Sequence, residues 1–363
     1  MHHLTESTRV NVMKILLLGA LCITTAAFAA PPASRFVDPL DKQVPMYSHA
    51  SIAPMLAVTR ASNDIVAAGK HGIILTSRDG GTSWKQSKVA LEADLVALDF
   101  PTPTRGWAVG HDGVVLTSED AGKTWTKRFD GRSVAKLMHD YYQREMAANP
   151  DNLALRDALQ QAEALLQDGP DKPFLDVWFK NEKQGFVIGA FNMILATEDG
   201  GVTWVPWLER TDNPQLFHLT SIRGDHENVF LVGEQGLMLK LDAATKRFVS
   251  LQSPYKGSYS GVAVQGKNVA VFGLRGRAFL STDGGSAWKP LSTGTSTLLT
   301  AGTFLPGSAL SLVGEDGTVL VSTDLGDTFK KYECGMGCYS VMPGSGQSLI
   351  VAGSRGVRVL PLK

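Results

Sequence analysis

The sequence predicts an all-β fold of seven repeated units, and three observations carry that reading. The first is an eight-residue pattern, Ser/Thr-x-Asp-x-Gly-x-x-Trp/Phe. It is written five times, as SRDGGTSW (77–84), SEDAGKTW (118–125), TEDGGVTW (197–204), STDGGSAW (281–288) and STDLGDTF (322–329). The second is a shorter pattern ahead of it: an apolar run closing on Gly, two further residues, and usually another Gly. Its first glycines are Gly69, Gly110, Gly189, Gly233, Gly273, Gly314 and Gly353, spaced 41, 79, 44, 40, 41 and 39 residues apart. The third is composition. The 37 glycines in 363 residues sit between short apolar runs, the mark of many tight turns.

Each unit reads as four antiparallel strands. Unit six shows them as LLTAGTF, ALSLVG, TVLVS and TFKKY, with Glu315-Asp316-Gly317 turning the second strand into the third. A period of about 42 residues with four short strands means a seven-bladed β-propeller. The eight-residue box falls at the hairpin between strands three and four. Its Asp carboxylate is expected to accept N–H groups of its own turn. Its Gly takes a conformation that a side chain opposes, and its Trp or Phe packs toward the neighbouring sheet. Asp79, Asp120, Asp199, Asp283 and Asp324 are therefore structural, because five sites spread round a ring do not converge on one substrate. The last unit has only three strands, and the segment 36–52 is expected to supply its fourth and close the ring.

One gap is nearly doubled. Residues 131–170 carry apolar positions at helical spacing, Val134, Leu137, Met138, Tyr141 and Met146, then Leu155, Leu159, Ala162 and Leu166. Asn149-Pro150-Asp151-Asn152 supplies a turn and a cap, and Gly169-Pro170 a stop. A helical hairpin is expected between units two and three, either a rigid ornament or a docking arm for a partner.

Residues 1–29 read as an export signal, with Met1 or Met13 as the start. Met13-Lys14 precedes an apolar run of about fifteen residues, too short to span a bilayer comfortably, and Ala27-Phe28-Ala29 fits a cleavage site. Residues 30–363 are then the propeller, and the location is the periplasm. The remaining cysteines, Cys334 and Cys338, are expected to pair in that oxidising compartment. Their C-x-x-x-C spacing suits neither a closed zinc site nor a C-x-x-C redox pair. Charge is balanced, 35 Lys plus Arg against 35 Asp plus Glu, with no long basic block. That disfavours a nucleic-acid partner.

The combined pattern G-[WF]-[AV]-[VI]-G-x-x-G followed by the box, at residues 106–125 and again at 185–204, resembles the photosystem II stability/assembly factor-like propellers, a group within the bacterial neuraminidase repeat proteins. Similar members occur in non-photosynthetic bacteria, often alongside resistance-nodulation-division transporters. The resemblance implies a non-catalytic propeller that binds other proteins and assists assembly of a membrane complex. An arginine patch implicated in such members has matching positions here only in Arg275 and Arg355.

An enzyme is the alternative, a sialidase-like propeller that binds or hydrolyses glycans. The Arg-x-Pro that marks a sialidase is missing, since Ala53 precedes Pro54. The candidate carboxylates Asp112, Glu234, Glu315 and Asp316 lie in turns of units two, four and six, too dispersed to face each other. No phosphate loop, nucleophile elbow or dinucleotide fingerprint is present, so no cofactor is expected. His71 and His111 lack a third ligand, so no metal is expected either. The binding expectation rests on the same turns. Lys70, His71, His111 and Arg355 come from adjacent units and form a positive arc, with Arg275 further round and Phe191 as an aromatic anchor. The expected partner is an envelope membrane-protein complex.

Overall fold

The computed structural model describes residues 36–225 and 228–362. The expected export signal and cleavage site near Ala29 lie outside them. One compact unit runs from Asp38 onward.

The described residues contain seven sheets, taken in order along the chain. Sheet 1 begins with Met55–Ala61, sheet 2 with Leu95–Asp99, sheet 3 with Phe174–Phe179 and sheet 4 with Leu219–Asp225. Sheets 5, 6 and 7 begin with Tyr259–Gln265, Leu299–Phe304 and Cys338–Pro343. Each is an antiparallel meander. Its second strand is buried on both faces, as the GWAVG run of Gly106–Gly110 requires. Sheet 2 gains a fifth strand, Lys88–Val89, which pairs in parallel with Thr124 and Trp125. The seven first strands stand side by side around one central channel of about 220 Å³. This is a β-propeller.

Side chains on the first strands tie sheet 2 through to sheet 7, and sheet 7 to sheet 1. Thr220 Oγ1 donates to Tyr259 O (2.8 Å), Ser260 Oγ to Leu299 O, and Thr300 Oγ1 to Cys338 O (2.7 Å). Ser340 Oγ accepts from Val58 N at 3.2 Å, which closes the ring from sheet 7 to sheet 1. These four hydroxyls recur every 40 residues. Carboxylates do the same work between sheets 2 and 4. Asp99 accepts from Phe179 N (2.7 Å), and Asp176 from Ser221 Oγ (3.0 Å), Ile222 N (2.9 Å) and Arg223 Nη1 (2.5 Å). Burial pushes the Asp99 carboxyl up to about 7, against the opposing pull of the Phe179 N–H and the Arg223 charge.

The boxes behave as small self-contained turns. In the first, Asp79 Oδ1 accepts from Ser83 N (2.8 Å) and Ser77 Oγ (2.9 Å), Asp79 Oδ2 accepts from Ser83 Oγ (2.5 Å), and Ser77 Oγ accepts from Gly81 N (2.8 Å). The Ser83 hydroxyl and N–H hold the Asp79 carboxyl down at about 2, and Thr203 does the same for Asp199. The second glycine of the box has positive φ and abuts the preceding sheet. A Cβ on Gly201 would lie 2.2 Å from the Trp107 ring, and one on Gly285 2.9 Å from the Phe230 ring. The box glycine is therefore fixed twice, by conformation and by contact.

The segment 36–52 forms no strand, contrary to expectation. It runs through two short 3-10 turns, Pro39–Asp41 and Ala50–Ile52, and sheet 7 keeps three strands. Pro39 and Pro45 interrupt any ladder. The segment is held instead by side-chain bonds, Gln86 receiving Tyr47 N and donating to Pro45 O, and by Val44 N on Val89 O. Its Leu40 and Val44 are buried in the core that sheets 1 and 2 share.

Two helices, α1 (Gly131–Ala148) and α2 (Leu153–Asp168), lie between sheets 2 and 3. Asp130 caps α1 in a capping box with Ser133, and Asn152 caps α2. Val134, Met138, Tyr142, Leu155, Ala158, Ala162 and Leu165 are buried in one core with sheets 2, 3 and 4. Tyr142 is the bolt. Its hydroxyl donates to Glu209 Oε2 (2.6 Å) and accepts from Leu208 N (2.9 Å). No helix among the described residues is long and apolar enough to cross a membrane.

Candidate protein-binding site

The turns between second and third strands all lie at one end of the sheets. In five of them the residue before the closing Gly or Asn is left-handed: His71, Asp112, Phe191, Gln235 and Arg275, at φ 52–58°. That conformation is costly for a residue with a Cβ, most of all a bulky one. The turn at Phe191 goes furthest, because Asn192 follows at φ 60° where other turns place glycine. Buried bonds pin it there. Asn192 Nδ2 donates to Leu208 O (3.2 Å), and its Oδ1 accepts from Thr211 Oγ1 and Asn213 Nδ2, each at 3.0 Å. Two strained residues thus hold an aromatic ring that is 42% exposed. Strain sustained by a dedicated network is typical of functional positions.

The ring stands among polar groups from three elements. Phe191 N donates to His218 Nδ1 (3.1 Å), so Nδ1 is the unprotonated nitrogen, and the two rings meet edge to face at 4.6 Å. His218 N in turn donates to Glu234 Oε2 (2.9 Å), joining turn three to turn four. Lys172 Nζ lies 5.9 Å from the Phe191 ring, and Gln161 Nε2 of α2 donates to Phe191 O. Beside this cluster runs a groove of about 820 Å³ between α2 and the connection from sheet 3 to sheet 4. Ala154, Asp157, Gln161 and Leu165 line one wall, and Leu208, Asp212 and Leu216 the other. The helical hairpin and the propeller build this groove together.

The positive arc is altered. Lys70 Nζ is paired with Asp94 Oδ2 at 3.1 Å, and His71 N donates to Asp94 Oδ1 at 2.9 Å. Burial alone would raise the Asp94 carboxyl, but the His71 N–H and Lys70 hold it below the ordinary carboxylate range. Asp94 also receives His111 N on its carbonyl, at 2.9 Å. Turns one and two are therefore brought together around an acid absent from the sequence expectation, and Lys70 arrives neutralised. Arg275 and Arg355 are exposed on separate turns, and neither has an ion pair among the described residues. The carboxylates Asp112, Glu234, Glu315 and Asp316 remain on sheets 2, 4 and 6, with Asp112 pushed up by burial. Cys334 and Cys338 are joined in a disulfide. No cluster of three metal-ligating side chains occurs among the described residues.

His218, Gln161 and the Asn192–Asn213 pair escaped sequence reasoning. Asn192 carried a signal, since it alone replaces glycine after a bulky residue in these turns.

A ring of meander sheets with its exposed polar and aromatic groups on strand-connecting turns defines a β-propeller with the surface of a binding protein. The chain belongs to the family described as photosynthesis system II assembly factor YCF48, which it matches over residues 43–132 and 160–308. Residues 133–159, most of α1 and the start of α2, fall outside that match. The chain is 28% identical over 120 residues to the photosystem II assembly lipoprotein Ycf48 of Synechococcus sp. (strain CC9902), a match covering 32% of this chain and only 35% of that protein. Among solved structures it is similar to YCF48 bound to D1 peptide, with a TM-score of 0.62 and 14% identity over 90% of this chain and 98% of that one. YCF48 from Cyanidioschyzon merolae gives 0.60 and 16%, over 88% and 97%. The WD40 β-propeller domain of Doa1 gives 0.62 at 10% identity, over 90% and 97%. At these identities the likeness is one of fold.

Proposed function

We propose that this chain is a non-catalytic scaffold that holds a client protein during assembly of an envelope membrane-protein complex, of which a resistance-nodulation-division transporter is one candidate. It acts in the periplasm as a propeller of seven blades, one for each sheet. The client is held at the end carrying the strand-two-to-strand-three turns, where Phe191, Arg275, Arg355, His71 and His111 are presented and Lys70 is kept in reserve by Asp94. The observation that carries this reading is the groove beside Phe191, whose strained, anchored ring and mixed polar walls suit a protein segment. Family membership supports an assembly role, and a relative solved with a D1 peptide supports a protein client.

The test is cross-linked affinity capture of the mature protein from its native envelope, read by mass spectrometry. One membrane complex should be enriched, and Phe191→Ala with Leu216→Ala should lower its recovery while leaving the melting temperature within a degree or two. Recovery of no protein partner, or of the same partners by the variant, counts against the reading. Arg275→Glu with Arg355→Glu asks the same of the arginines.

A further inference from the structure

The opposite end of sheet 1 carries a cleft that the turn face does not use. It measures about 430 Å³ and lies between the edge strand Lys85–Gln86 and the box loop of sheet 2. Four cations line it, Arg78, Lys85, Lys88 and Lys123, and no carboxylate does. Lys85, Lys88 and Lys123 are exposed and have no ion pair among the described residues. Arg78 is 68% exposed and only loosely placed beside Asp64, at 3.7 Å. Elsewhere the chain gives lysines an acid at close range, as in Lys42–Glu92, Lys246–Glu198 and Lys289–Asp327. The carboxylates of the two box loops, Asp79 and Asp120, are consumed by their own turns, through Ser83 and Thr124.

Gathering like charge costs stability, and this cluster returns none of it to the fold. The cleft also has an apolar side, made by the half-buried Trp84 ring and by Met46, which is 62% exposed. A small inorganic anion would use the lysines alone. A ligand that uses both surfaces carries carboxylates and apolar side chains in alternation, which is how an extended segment presents them.

We infer that this cleft is a second client-docking site, taking an extended acidic segment whose alternate residues are apolar. The inference rests on the scaffold reading above and adds the chemistry of one client segment. The carboxylates lie along Lys85, Lys88 and Lys123, and the apolar side chains lie on Trp84 and Met46.

The probe is a fluorescein-labelled peptide of alternating Glu and Leu, titrated with the full mature chain and followed by anisotropy. Binding should weaken steeply between about 0.02 M and about 0.3 M salt. It should fall about tenfold or more in Lys85→Glu/Lys88→Glu/Lys123→Glu. The same lysines changed to Gln give the milder variant should the reversed one not fold, with circular dichroism checking both. A Lys-Leu peptide should not bind. The inference is overturned if the wild type ignores the Glu-Leu peptide, or if the variants bind it equally well. It is also overturned if phosphatidylglycerol vesicles, and no peptide, take up the protein through these lysines. Envelope capture separates the two readings. If wild type and variant recover one complex in equal yield, the cleft is refuted and the scaffold stands. If neither recovers any complex, the scaffold reading is what fails.

Discussion

Replacing Asp99 by Asn should stabilise this protein, and only above about pH 4. Asp99 ends the first strand of sheet 2, within electrostatic reach of Asp176 and Arg223, and its carboxyl is pushed from 3.8 up to about 7, chiefly by burial. The folded state therefore holds this proton more tightly than the unfolded chain does. Between about pH 4 and about pH 7 the unfolded chain has lost the proton and the folded protein has not, so stability falls as pH rises through that window. Above it, the folded protein carries the full penalty of a desolvated charge. Three pKa units correspond to about 4 kcal/mol. Asp99 is half-buried rather than sealed from water, and solvent screening brings the realised penalty to about 2 kcal/mol. Asn keeps an oxygen for the Phe179 N–H, now 2.7 Å from Asp99 Oδ2, and removes the charge. Arg223 retains Asp176 at 2.5 Å. Thermal unfolding of wild type and Asp99→Asn, followed by circular dichroism from about pH 5 to about pH 8, reads the difference. The variant should melt a few degrees higher at the alkaline end, with the gap closing toward pH 5. A variant less stable than wild type at about pH 8, or a gap that does not change with pH, would refute the reasoning.

Three further outcomes are expected. Gly201→Ala places a Cβ 2.2 Å from the Trp107 ring at φ +77° and should cost about 2–4 kcal/mol, whereas Gly266→Ala, at φ +58° with open space around it, should cost about 1 kcal/mol; equal denaturant midpoints would contradict the contact argument. Tyr142→Phe leaves Leu208 N without its acceptor and should cost about 1–3 kcal/mol, with faster proteolysis within α1 and α2. Changing Cys334 and Cys338 together to Ser opens a link across a sequence separation of 4 and should cost about 2 kcal/mol, measured by chemical denaturation of the oxidised wild type against the variant.

The repeat was legible because it is local chemistry. Each box satisfies its own Asp and Ser within five residues, so five copies in the sequence became five similar turns. The helical insertion was legible for the same reason, through its spacing and its Asn152 cap. The segment 36–52 was misread because a missing strand in sheet 7 suggested a donor, while Pro39 and Pro45 already argued against one. The four hydroxyls at 220, 260, 300 and 340 were on view at a fixed period. Thr and Ser in a strand carry no distinctive signal until their acceptors on the next sheet are known.

The candidate site divides along the same line. The sequence by itself determined which residues occupy the turns and that Phe191 would be displayed. It did so because glycine spacing fixes where a tight turn falls. Only the tertiary structure decided what those residues meet: Asp94 neutralising Lys70, His218 receiving Phe191 N, α2 forming a groove with the sheet 3–4 connection, and three lysines from the edge of sheet 1 and the box loop of sheet 2 left without an acid. Those relations join residues from 24 to 62 positions apart. Backbone propensities act over a few residues, whereas charge pairing and groove shape depend on which sheets the closed ring sets side by side.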